Sequence, residues 1–76
     1  MSEQRFIRLF SIVGQISPHS QVTVHDLATE YEVSERTIKR DVQILQDAKL
    51  GVFCEENKIK ISRNGYKRIR SWMLSD

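Results

Sequence analysis

Between Val33 and Leu45 the chain reads Val-Ser-Glu-Arg-Thr-Ile-Lys-Arg-Asp-Val-Gln-Ile-Leu, and few folds can use such a segment. Ser34 is a good helix N-cap, because its hydroxyl can accept a backbone N–H from the first turn. Ile38, Val42 and Leu45 follow at i, i+4 and i+7, so a helix stacks them on one side. At about 100° per residue, Arg36, Lys39, Arg40 and Gln43 fall on the opposite side. The spacing predicts a helix over 35–48. Its apolar stripe needs a core to rest on, while its other face holds out donor-rich side chains of the types that reach phosphates and base edges.

The flanking sequence supplies that core. Residues 3–16 predict a first helix, with Phe6, Ile7, Leu9, Phe10, Val13 and Ile16 as a broad inward stripe and Arg5 and Arg8 off it. Ser17-Pro18-His19-Ser20-Gln21 breaks the helix. Val22-Thr23-Val24 reads as a very short strand leading into a second helix. Thr23 caps that helix, and Asp26 three residues on resembles a capping box with Asp in place of Glu or Gln. Leu27, Ala28 and Tyr31 face inward, Glu32-Val33 makes the turn, and Val33 plugs the space between helices. After Lys49-Leu50-Gly51, with Gly51 as the natural left-handed residue, come two β-rich runs, 52–55 and 58–62, the second alternating strictly polar and apolar over Lys58–Ile61. Glu56-Asn57 between them suits a tight hairpin. Ser62 can cap a last helix over 63–74, in which Tyr66, Ile69 and Met73 share a face with Trp72 beside them; Gly65 in its first turn weakens it slightly.

Seventy-six residues make one domain, 1–76, with a small core. The single cysteine, Cys54, rules out an internal disulfide and points to a reducing compartment. With His19 and His25 it cannot make a four-ligand zinc site, and no cofactor is expected. Cys54 and His25 do not suggest a thiol nucleophile, since a lone strand cysteine is usually buried packing. No Gly-rich phosphate loop, His-Glu-x-x-His pattern or nucleophile elbow occurs, so the expectation is a non-enzyme. No stretch reads as a targeting segment or a membrane span, and a cytoplasmic location is expected. Net charge is only +2 but uneven: Lys58, Lys60, Arg63, Lys67, Arg68 and Arg70 cluster without an acid, and Asp26, Glu30, Glu32 and Glu35 cluster without a base. Either one face meets a polyanion or the surface is simply solvated.

Thr23-Val24-His25-Asp26-Leu27-Ala28, then Val33 to Val42, then Leu45, resemble the helix-turn-helix of DeoR-type bacterial regulators and the N-terminal domains of WYL-domain regulators. The resemblance covers roughly residues 5–62. It is specific at 23–45 and generic in the hairpin. It implies a fold that is mostly α with a small antiparallel β-hairpin: a winged helix-turn-helix of a three-helix core, a wing and a C-terminal helix. The Ser34-capped helix would be the recognition helix, with Arg36, Thr37, Lys39, Arg40 and Gln43 facing the major groove or its flanking phosphates. Asn57, Lys58 and Lys60 would be the wing's contacts. Two departures stand out. The family usually has Gly before the apolar residue at Leu50, where this chain has Lys49; either Lys49 adopts a left-handed conformation at a cost of about 1 kcal/mol, or Gly51 takes the role and the wing shifts. Such regulators also normally carry a ligand-sensing domain after this one, so the chain is either an excised N-terminal domain or a stand-alone regulator.

The resulting expectation is sequence-specific double-stranded DNA binding by a transcriptional regulator, read as a repressor. The rival readings are a winged-helix protein-interaction module and an RNA-binding module. Thr37 either meets DNA or sits at the helix shoulder. Asp41, which would repel DNA, is expected to pair with a neighbouring helix, and Glu35 to complement the helix dipole. The Arg63–Arg70 cluster is either a DNA-flanking patch or, the favoured reading, the wet side of the last helix. Tyr66, Ile69, Trp72 and Met73 form either a core face or the seam of a homodimer reading two half-sites.

Overall fold

The computed structural model describes the backbone of residues 3–74 and the side chains of 3–72. The chain runs α1 (Glu3–Gln15), α2 (Val24–Tyr31), α3 (Glu35–Asp47), β1 (Val52–Glu55), β2 (Lys58–Ile61) and α4 (Arg63–Leu74). This is a winged helix-turn-helix. Leu9, Ile12 and Ile16 of α1 and its end meet Leu27 of α2, Ile38, Val42 and Leu45 of α3, Val52, Ile59 and Ile61 of the hairpin, and Ile69 of α4. Each fully buried aliphatic side chain stabilises the fold by about 1.5–3 kcal/mol. Among the described residues no helix is long and apolar enough to cross a membrane.

The local signals in the sequence act as expected at several joints. Thr23 Oγ1 accepts the Asp26 N–H at 2.9 Å, and the Asp26 carboxylate accepts the Thr23 N–H at 3.1 Å, closing the capping box. Ser34 Oγ accepts the Thr37 N–H at 3.1 Å, and Ser62 Oγ accepts the Gly65 N–H at 3.0 Å. β1 and β2 pair antiparallel, from Val52 opposite Ile61 to Glu55 opposite Lys58. Glu56 (φ 52°) and Asn57 (φ 66°) are both left-handed, as a tight two-residue hairpin turn with native twist requires.

The short extended stretch before α2 serves to hold the wing. Thr23 bridges to Lys58, the Ile59 N–H donates to the Val22 carbonyl at 2.8 Å, and the Val24 N–H donates to the Asn57 carbonyl at 2.8 Å. β2 therefore lies between β1 and this stretch. Cys54 on the edge strand is exposed, contrary to the expectation of buried packing, whereas Ile59 directly opposite it is fully buried.

Lys49 and Gly51 are both left-handed, with φ of 65° and 76°; the choice between them was a false one. Lys49 closes α3: its N–H donates to the Gln46 carbonyl and the Leu50 N–H reaches back to that of Leu45, the two bonds of a Schellman motif. Gly51 then turns the chain into β1. The α2–α3 turn uses the same device, with Glu32 left-handed at φ 56° and the Val33 N–H donating to the Ala28 carbonyl at 3.0 Å. Gly65 is a requirement of the fold. A Cβ there would stand 2.1 Å from the Leu50 carbonyl oxygen, so only glycine lets α4 approach the end of α3.

The expected inward stripe of α1 needs the largest correction. Leu9 and Ile16 are buried and Val13 is partly so, but Phe6, Ile7 and Phe10 are 55%, 57% and 64% exposed. The inward positions are instead Arg8, Leu9, Ile12 and Ile16. Arg8 turns in because Asp41 of α3 lies opposite it, and the helix is rotated away from the aromatic side. In α4, Ile69 is buried and Tyr66 half-buried, while Trp72 is 59% exposed. The Met73 side chain lies outside the described residues.

Candidate nucleic-acid interface

α3 is held from behind. Ile38, Asp41, Val42 and Leu45 are its buried residues, and Asp41 is the one buried charged group among the described residues. Both oxygens of its carboxylate are engaged by Arg8, through Nε on Oδ2 and through Nη2 on Oδ1 at 3.1 Å. The two side chains are 11% and 1% exposed. This hydrogen bond raises the Arg8 pKa above its ordinary value, against the lowering effect of burial. The pairing takes the one carboxylate in the middle of α3 off its outer face.

The outer face keeps its bases. Arg36, Lys39 and Arg40 are exposed. Gln43 is exposed too, and its Nε2 donates to Asp47 Oδ1 at 2.9 Å one turn on, which braces the amide along the helix. Thr37 is half-buried, and its hydroxyl lies 3.0 Å from that of Ser34. The Ser34 and Thr37 hydroxyls are therefore engaged with the first turn of α3. A ligand contact from either would be made by a group already held in place.

On the wing, Asn57 is exposed at the tip and Lys58 and Lys60 are half-buried. Lys60 Nζ lies 3.2 Å from Glu55 Oε1 across the hairpin, a pair half-buried at the lysine and exposed at the glutamate. The bonds to Val22 and Val24 fix Lys58 beside the N-terminus of α2. The positions singled out in the sequence thus fall on two elements, the outer face of α3 and the wing. Thr37 and Lys60 are partly occupied within the protein.

One contact was not anticipated. His25 Nδ1, in the first turn of α2, lies 3.2 Å from Glu35 Oε2, in the first turn of α3, and both side chains are well exposed. The ten-residue separation gives no periodic signal, and only the helix-turn-helix angle brings the two N-termini together. In the basic cluster of α4, Arg68 Nη1 donates to the Lys49 carbonyl at 2.9 Å, helping to close the end of α3. Arg70 lies 5.6 Å from the Tyr66 ring centre. Those two bases have structural contacts, while Arg63 and Lys67 are exposed. Among the described residues no group of three or more His, Cys, Asp or Glu could hold a metal ion.

A family model described as an HTH domain matches residues 8–67, from the arginine that grips α3 to the first turns of α4. Comparison with curated proteins gave no match.

Proposed function

The chain belongs to the HTH domain family, DNA-binding domains of transcription regulators, and from that premise we propose that it binds a specific double-stranded DNA sequence with α3 in the major groove. The observation that carries this reading is the sorting of charge on α3: Arg36, Lys39 and Arg40 are exposed, while Asp41 faces inward onto Arg8. In the proposed complex the N-terminal half of α3 reads base edges. A bidentate arginine on guanine is worth roughly 1–3 kcal/mol of discrimination. Ser34, Thr37 and the wing residues Asn57, Lys58 and Lys60 contact the backbone and fix the register. The protein acts as a DeoR-like, non-enzymatic regulator in the cytoplasm. A domain that covers its site excludes other proteins from it, which makes repression the direct consequence. It reads two half-sites as a homodimer.

Selection of bound sequences from a random duplex pool tests this reading. Enrichment of a defined motif, retained against an excess of structured RNA, is the expected result. A pool that stays random, or a preference for the RNA, overturns it.

A further inference from the structure

The helices α1 and α4 and the end of α3 enclose an open groove of about 430 Å³ lined entirely by apolar residues, among them Val13, Ile44, Leu50, Ile69 and Trp72. Phe6 and Phe10 stand on its α1 side, one turn apart, with ring centres 4.8 Å apart and edge-to-face. We propose that this groove is the dimer interface, and that its occupant is the Phe6–Phe10 ridge of a second copy of this chain.

Three observations select a copy over another partner. A ridge and a groove lie side by side on one face, so a two-fold axis beside them puts each ridge into the other's groove, as an isologous contact requires. No charged side chain lines the groove, so nothing in it recognises an acidic or basic peptide. The area is also of the right order. Aromatic side chains present roughly 150–250 Å² each, so Phe6, Phe10 and Trp72 at 55%, 64% and 59% exposure leave on the order of 350 Å² uncovered. That is close to half of the ~800 Å² each partner contributes to a standard interface, and the half-buried Val13, Ile44 and Leu50 border it.

Charge chooses between ridge-in-groove packing and pairing of two α4 helices. α4 carries Arg63, Lys67, Arg68 and Arg70 and no acid, so α4 against α4 would set like charges together. α1 brings an uncharged aromatic edge instead. At about 100° per residue, Lys39 and Gln43 lie about 140° and 100° around α3 from Ile44, while Arg36 and Arg40 lie about 80° and 40° from it, so Lys39 and Gln43 are the α3 donors farthest from the groove.

The inference rests on the proposed DNA reading only for what the dimer is for, so mass and DNA binding are measured separately. Sedimentation of the whole chain should give a mass near twice 8.9 kDa at micromolar concentrations. Phe10→Glu, at an exposed position, should weaken self-association about 30-fold or more, as loss of a central aromatic contact does, with an unchanged circular dichroism spectrum. Trp72 is the one tryptophan of the chain, so in the unmodified protein its emission should shift to longer wavelength on dilution through the dissociation range. A monomer at all concentrations, a Phe10→Glu protein that is folded and still dimeric, or a dimer whose dissociation leaves Trp72 emission unchanged would each overturn the proposal. A dimer that binds no duplex would overturn the DNA reading alone.

Discussion

Arg8 and Asp41 set the charge of α3 from behind it. Removing one partner of a buried pair leaves the other charge uncompensated, at a cost of about 3–5 kcal/mol. Arg8→Met is therefore expected to lower the unfolding free energy by about that amount in a urea titration, and adding Asp41→Leu to restore most of it; a double variant no more stable than Arg8→Met would show that the loss does not come from an uncompensated Asp41 charge. The raised pKa of Arg8 means that its contribution is complete below the ordinary arginine range and is lost only as pH rises through the higher folded value, so it does not titrate near neutrality. Lys49 is a second residue with a definite cost. It is left-handed at φ 65° and its side chain is not needed to close α3, since the Schellman bonds are made by backbone. Lys49→Gly should raise the denaturation midpoint, by about 0.5–1 kcal/mol in stability after the greater freedom of glycine in the unfolded chain is subtracted. A lowered midpoint would mean that the lysine side chain stabilises the turn.

Among the elements, those specified by neighbouring residues were the ones legible in the sequence. The capping box of α2, the Ser34 cap of α3, the Glu56-Asn57 hairpin and the extent of α4 each depend on residues within a few positions of one another. What was not legible depends on partners far along the chain. The inward face of α1 could not be chosen from its own pattern, because Phe6, Ile7 and Phe10 compete with Leu9 and Ile12 in hydrophobicity. The deciding contact, Arg8 to Asp41, spans 33 residues. The same holds for His25 with Glu35 and for the wing's attachment to Val22 and Val24. The basic face of α3 was readable in full, whereas the internal contacts of Thr37 and Lys60 were not. Gly65, which looked like a weak point in α4, is where α4 docks on the Leu50 carbonyl. Gly65→Ala should cost about 1–3 kcal/mol, as overpacking typically does, and speed amide exchange in α4; unchanged exchange and melting would mean that α4 can shift without loss.

Over the whole molecule the faces divide the work. The outer face of α3 and the wing carry the bases assigned to DNA, and the α1–α4 side carries the apolar groove. Between them the core and the Arg8–Asp41 pair hold α3 at a fixed depth. Several acidic residues near α3 have partners within the protein: Asp26 is used in a cap, Glu35 in the first turn of α3 is paired with His25, and Asp47 at its end accepts from Gln43. The most direct measurement is duplex binding as a function of salt for the unmodified chain and for the Lys39→Ala, Arg40→Ala double variant. Each phosphate neutralised contributes roughly 0.9 to the slope of log affinity against log salt. The double variant should therefore lose binding near physiological salt and show a slope shallower by about one to two units, with an unchanged melting temperature because both side chains are exposed. Full affinity and an unchanged slope in a folded double variant would contradict the assignment of α3 as the helix that reads DNA.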